Sequence, residues 1–201
     1  METLDAIYRR RAVKAFDPEH RLTEAEEGKL LQAAVQSPTS FNIQHWRFVV
    51  IKNPALRRRL RELGNDQSQI TDASMLIVMT ADVKAWQKSP ERYWANAPKE
   101  VADLLVNWMG PFHDGREWLQ RDEAQRSIGM AMQTLMLAAT AMGLQSCPMI
   151  GFDIDGVAEA IGLPNDHTMG PMVAIGRGTT EPWPKPGQLP LDEVVITDRF
   201  G

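Results

Sequence analysis

From Ser127 to Met142 the chain reads Ser-Ile-Gly-Met-Ala-Met-Gln-Thr-Leu-Met-Leu-Ala-Ala-Thr-Ala-Met, without one charged residue. A bilayer crossing needs about 20 apolar residues, so this run is too short, and Gln133, Thr134 and Thr140 break it. It predicts the end of a long helix, roughly Glu117 to Met142, apolar on nearly every side and closed by Gly143. Such a helix needs neighbours on several faces, in a core or across a subunit contact. The remainder of the 201 residues must supply them, a length that suits one domain. A hydrophobic share of 43% and a charged share of 24% exclude wholesale disorder. A net charge of −4 argues against a protein built to grip nucleic acid. Cys147 is the single cysteine, which forbids an internal disulfide and suits a reducing, cytoplasmic setting. The acidic opening Met1-Glu2-Thr3-Leu4-Asp5 lacks an apolar segment behind it, so no secretory signal is expected.

Around that helix the chain alternates in type. Leu4, Ile7 and Tyr8 sit at helical spacing in a short opening helix. Thr23-Glu-Ala-Glu26 is a capping box for a helix carrying Leu30, Leu31, Ala34 and Val35, stopped by Ser37-Pro38. Trp46–Ile51 and Met75–Thr80 read as strands, the second apolar throughout and therefore central. Pro54 opens a helix to about Leu63, whose arginines between 57 and 61 form a solvated face or, on the rival reading, a nucleic-acid patch. Residues 84–121 form a helical excursion holding Trp86, Tyr93, Trp94, Trp108, Phe112 and Trp118; these either pin the excursion to the body or wall a pocket for a planar ligand. Asp153 caps a short helix, and Met172–Ile175 and Glu193–Thr197 supply late strands. The whole predicts one α+β domain over residues 1–201: a three-layer α-β-α sandwich with a mixed sheet and a C-terminal arm at about 180–201.

Familiar reactive motifs are missing. No phosphate loop, His-Glu-x-x-His helix or Gly-x-Ser-x-Gly elbow occurs. The four histidines lack ligand spacing with Cys147, so no metal is expected. Gly176-Arg-Gly178 follows a strand, but Pro182, Pro184 and Pro186 forbid the helix a dinucleotide fingerprint requires. Three other segments carry chemistry. Arg9-Arg10-Arg11-Ala12-Val13-Lys14 places forked guanidinium donors beside an ammonium. Ser37–Trp46 puts hydroxyl and amide side chains in a loop before a strand. Cys147-Pro-Met-Ile-Gly151 is an extended piece whose backbone donors Gly151 leaves uncovered.

In their order and spacing, Arg10-Arg11-x-x-Lys14-Ala-Phe16, Ser37-Pro-x-Ser40-x-Asn42-x-Gln44-x-Trp46, Asp72-Ala-Ser74, Gly143-Leu before Pro148 and Leu189-Pro190 resemble the nitroreductase family of flavin enzymes over essentially the whole chain. The resemblance implies an intertwined homodimer with FMN at the subunit interface. NADH or NADPH would reduce the flavin, which would then pass electrons to a small aromatic acceptor such as a nitroaromatic or quinone. Carried over by motif, Arg10 and Arg11 would hold the FMN phosphate beside Ala12, and Lys14 would approach the pyrimidine side of the ring as an electrostatic tuner. Pro38, Thr39, Ser40 and Asn42 would come from the loop that meets the flavin bound mainly by the other subunit. Asp66 and Gln69 would face the N3/O2 edge. Pro148, Met149, Ile150 and Gly151 would lie along the isoalloxazine, and Lys185 would return to the phosphate. No side chain is assigned as a proton-transfer group.

The chain departs from the family pattern. Ala12 stands where a phosphate-binding Ser or Thr is common, and a hydrogen bond to a charged group is worth about 1.5–3 kcal/mol. The family's basic residue just beyond Lys185 is missing, and Gly187 and Gln188 occupy that stretch. His45 replaces a proline, and Ile150 sits where some relatives have Glu. These changes predict weaker FMN retention unless Arg9 or Arg177 compensates. Three rivals stay open on the residues: another flavin reaction on the same fold (reductive dehalogenation or flavin breakdown), a non-catalytic flavin-binding protein, and a nucleic-acid binder. Cys147 reads as a small buried hydrophobe rather than a redox thiol.

Overall fold

The structure, a computed structural model, describes residues 1–200. Its elements run α1 (Thr3–Arg9), α2 (Glu24–Ala34), β1 (Trp46–Val50), α3 (Pro54–Leu63), α4 (Gln69–Asp72), β2 (Met75–Asp82), α5 (Lys99–His113), α6 (Glu117–Ala141), β3 (Gln145–Met149), α7 (Ile154–Ala160), β4 (His167–Gly176) and α8 (Leu191–Val194). Local chemistry sets several ends. Thr23 and Glu26 close the capping box of α2 in both directions, and Asn53 and Asp153 accept backbone N–H groups at the starts of α3 and α7. Gly143 takes φ +78° after α6, a conformation that costs a Cβ-bearing residue energy.

The four strands are ordered β1-β2-β4-β3, and every ladder is antiparallel. The sheet is therefore not mixed as the sequence suggested. Parallel pairing among the described residues is confined to one bridge, Ala12 to Ser146 on the outer edge of β3. All eight residues of β2 are buried, because helices cover both faces. Met75, Ile77 and Met79 face α2 and α6. Leu76 and Val78 join Leu60 of α3, Ile70 of α4 and Val157 of α7 on the opposite face. The uncharged turns of α6 find their expected neighbours, with Ile128, Ala131, Leu135 and Ala139 buried. No helix of the described residues is long and apolar enough to cross a membrane.

The excursion after β2 is pinned by Trp86, Tyr93 and Met109, which bury against Ile43. Trp108 and Trp118 stay 57% and 62% exposed and take no part in that pinning. A polar knot anchors its base. The Lys88 ammonium donates to Asp82 at 2.7 Å and to Asp166 at 2.6 Å, and His167 lies 2.7 Å from Asp166. Asp82, Asp166 and His167 have ligand atoms within 4.8 Å of one another, and the ammonium is their cation. Lys88→Met leaves the buried Asp82 carboxylate with the Lys84 backbone N–H at 2.9 Å and with Arg47 as its one remaining cation, at 3.7 Å. The expected result is a loss of about 1–2 kcal/mol, reduced from a fully buried pair because Lys88 is partly solvated. The denaturant midpoint at neutral pH measures it, and an unchanged midpoint means the knot holds nothing.

The late strand expected at Glu193–Thr197 does not form. Residues 180–200 leave the body, with one turn at α8 and every residue exposed; a strand needs a ladder partner, and the body offers none there. The arginines of α3 are largely committed internally. Arg57 donates to the carbonyls of Ile51, Ala73 and Ser74, Arg61 to Asp66 and Thr71, and Arg59 to Glu62. That arrangement is a structural brace, not a phosphate-gripping face.

Candidate cofactor site

Strand β3 lies at the edge of the sheet and organises the site. At its start, Arg9, Arg10 and Arg11 line a cavity of about 410 Å³ together with Gln145 and residues 178–182. The arginines reach it because α1 ends at Arg9 and the chain turns there to run beside β3; the Val13 N–H donates to the Ser146 carbonyl at 3.0 Å. The Arg11 guanidinium reaches back to the Tyr8 and Arg10 carbonyls at 2.7 and 2.9 Å, fixing that turn. Of the two candidate compensators for Ala12, Arg9 lines the cavity. Arg177 instead lies 3.8 Å from Asp17.

Midway along β3 sits Cys147, 3% exposed. Burial pushes its thiol up, while the charge of Lys14 and a hydrogen bond with Gln69 pull the other way. Lys14 and Gln69 therefore both lie near the centre of the strand, and the buried thiol acts as packing. Gln69 is itself buried and donates to Gln67 at 2.9 Å.

Beyond the strand's end, Ile150 is 62% exposed. The N–H groups of Ile150 and Gly151 donate to no acceptor among the described residues. The Gly151 carbonyl accepts from Asn65 at 3.0 Å and from Gln67 at 2.9 Å, which holds the loop at residues 64–67 against this segment. Asp66 turns away, paired with Arg61 at 2.6 Å and with an exposed side chain. The path from Gln145 to Gly151 spans roughly 20 Å of extended chain. Guanidinium groups stand at one end, an ammonium in the middle and free backbone donors at the other. That donor set fits a phosphorylated flavin: cations for an acceptor-only phosphate, and N–H groups for the heteroatom edge of a planar ring.

Two groups of expected residues lie elsewhere. Lys185 is on the exposed arm, three residues beyond the last cavity residue, Pro182. Pro38, Thr39, Ser40 and Asn42 precede β1, on the opposite edge of the sheet. Their loop is stiff. Phe41, Asn42 and Gln44 hold φ of 50°, 54° and 54°, the Thr39 hydroxyl accepts the Gln44 N–H at 2.9 Å, and Asn42 donates to the Tyr93 carbonyl at 2.7 Å. Three strand spacings of about 4.8 Å separate β1 from β3, so one protomer does not bring this loop onto its own β3 strip. Sequence reasoning missed Gln145, Asn65 and Gln67. Each is a neutral amide in an unremarkable context; Gly64 beside Asn65 and Gln67 was the one local signal, and Gln145 meets Gly178 only through the fold.

A three-layer α+β sandwich with an arginine-lined cavity at the start of its edge strand narrows the choice of fold. The chain belongs to the nitroreductase family, whose sequence model matches residues 7–177. The protein DrgA of Synechocystis sp. is 59% identical over 204 aligned residues, covering 99% of this chain and 97% of its own. A Thermus thermophilus protein named NADH dehydrogenase is 27% identical, covering 98% and 96%. A solved structure from Exiguobacterium sibiricum, described as a putative nitroreductase in complex with FMN, superposes with a TM-score of 0.90 at 25% identity, covering 98% of this chain and 97% of that one.

Proposed function

We propose that this oxidoreductase-family chain is an FMN-dependent NAD(P)H oxidoreductase that works as a cytoplasmic homodimer, residues 1–201 acting as one domain. The observation that carries the reading is the β3 strip, with its arginine cavity at one end and unpaired Ile150 and Gly151 donors at the other. Bound FMN would supply the two-electron redox chemistry that links NADH or NADPH to a nitroaromatic, quinone or similar acceptor. The protein's part is binding and electrostatics. Arg10 and Arg11 neutralise the phosphate. Lys14 places positive charge beside the strip, where it favours the more negative, reduced form of the ligand. Pro148, Met149, Ile150 and Gly151 supply a flat wall and two N–H donors, and Gln69 presents an amide to the same wall.

The loop at residues 38–42 suits the partner's ligand rather than its own, since it sits on the far edge of its own sheet. Two-fold pairing brings each loop to the other protomer's strip and gives the apolar arm a surface to cover. The purified protein tests all of this. The expected result is a flavin absorption spectrum that bleaches anaerobically with NADH or NADPH, at a dimer mass. A protein that takes up no FMN, keeps an oxidised spectrum under both nicotinamides, or binds FMN as a monomer overturns the corresponding part.

A further inference from the structure

We propose that Gln145 is a phosphate-binding residue, its side-chain amide donating to the FMN phosphate in place of the hydroxyl that position 12 lacks. The inference rests on the flavin reading above and adds a residue to it. Gln145 is the first residue of β3 and lines the arginine cavity. Its side-chain oxygen accepts the Gly178 N–H at 2.7 Å. A backbone N–H only donates, so this bond fixes which end of the amide is oxygen and turns the NH₂ group the other way. That NH₂ donates to no acceptor among the described residues. The contact depends on glycine: a Cβ at Gly178 would stand 3.0 Å from Val13 and 3.2 Å from the Gln145 side chain.

The other polar groups of the cavity compete unevenly: the Thr179 and Thr180 hydroxyls also line it, but on exposed residues where the chain leaves the body. Thr140 spends its hydroxyl proton on the Met136 carbonyl at 3.0 Å. Arg11 spends part of its fork on Tyr8 and Arg10. Ala12 has no side-chain donor, and the bridge to Ser146 is closed by the Val13 N–H rather than by its own. Glu181 is a carboxylate on the cavity wall and opposes an anion, which raises the value of a neutral donor fixed by the fold. Gln145 thus offers a pre-aimed N–H whose cost of ordering is already met by Gly178.

Gln145→Glu is the discriminating change, because it keeps the size and the oxygen that accepts from Gly178 while removing the donor and adding negative charge. Flavin-free wild type and variant are titrated with FMN and with riboflavin, following quenching of flavin fluorescence. The variant is expected to bind FMN about 10- to 100-fold more weakly and riboflavin within twofold of wild type. Circular dichroism and melting checks confirm that the variant is folded, and Gln145→Met, which lacks both the donor and the added charge, is expected to fall between the two. Equal weakening of both flavins, or none, overturns the role of Gln145 while leaving the flavin reading intact. Wild-type protein that binds neither flavin overturns both.

Discussion

Replacing Arg10 and Arg11 together by alanine lowers FMN affinity by roughly 10²- to 10⁴-fold while leaving riboflavin affinity nearly unchanged. The figure follows from two charge-assisted contacts worth about 1.5–3 kcal/mol each. Both guanidinium groups line the same cavity, so neither replaces the other fully. The single changes differ. Arg10→Ala removes charge alone, whereas Arg11→Ala also releases the carbonyls of Tyr8 and Arg10 and frays the end of α1. Raising salt should weaken FMN binding in wild type more than in the double variant, because fewer charges remain to be screened. An affinity within threefold of wild type would show that the phosphate lies elsewhere.

Acid should loosen the protein from pH 6.5 downward, well before most carboxylates titrate. His45 and His113 are both fully buried. The Ser127 hydroxyl gives its only proton to the Glu123 carbonyl at 2.8 Å, so His45 must donate from Nδ1 across 3.0 Å. His113 likewise donates from Nδ1 to the Met109 carbonyl at 2.8 Å. Both rings are therefore neutral with a bare Nε2, and neither Nε2 has a partner. Burial, the first cause, and the nearby His113 and Arg47 push His45 from 6.5 down to about 4, against the pull of Asp82. Burial and Arg116 also lower His113, against the Met109 carbonyl and Glu123.

The unfolded chain takes up protons below its ordinary histidine value, and the folded chain does so only near pH 4. The His45 contribution is thus full above about 6.5, falls as pH drops, and levels off below 4. His45 alone accounts for about 2 kcal/mol by pH 5 and about 3 kcal/mol at the limit. His113 adds in the same direction. Melting temperature against pH measures the effect, and His45→Asn, which keeps a donor for Ser127 without titrating, should flatten the profile. A wild-type profile level between pH 7 and 5 contradicts it. Since Trp86 stacks on His113 at 5.6 Å, the base of the excursion is the part that should open first, with a change in tryptophan fluorescence.

Elements with local chemical endings were legible in the sequence. The capping box at Thr23, the proline at the start of α3, the Asp153 cap and the left-handed Gly143 each fix a boundary through atoms a few residues apart. The charge-free face of α6 likewise announced its burial. Strand direction was not legible, because long helical crossovers join β1 to β2 and β3 to β4 and leave no turn signature behind. β4 begins at His167, five residues before the apolar run that marks it. Its first half is held by pairing with β2 and not by its own composition. Glu193–Thr197 looks like a strand by composition, but composition does not supply a neighbour. In the site, charged residues advertised themselves while neutral amides did not. Arg10 and Arg11 were visible as adjacent cations; Gln145 acquires its significance only from Gly178, 33 residues away.

The arm has a thermodynamic consequence. Trp183, Leu189, Leu191, Val195 and Phe200 remain between 59% and 88% exposed, so folding of a solitary chain extracts almost no transfer free energy from them. In the proposed homodimer, whatever they contribute would be realised between molecules and would obey mass action, rising with concentration and vanishing on dilution. Part of the protein's resistance to heat would then be a property of the population rather than of the individual molecule.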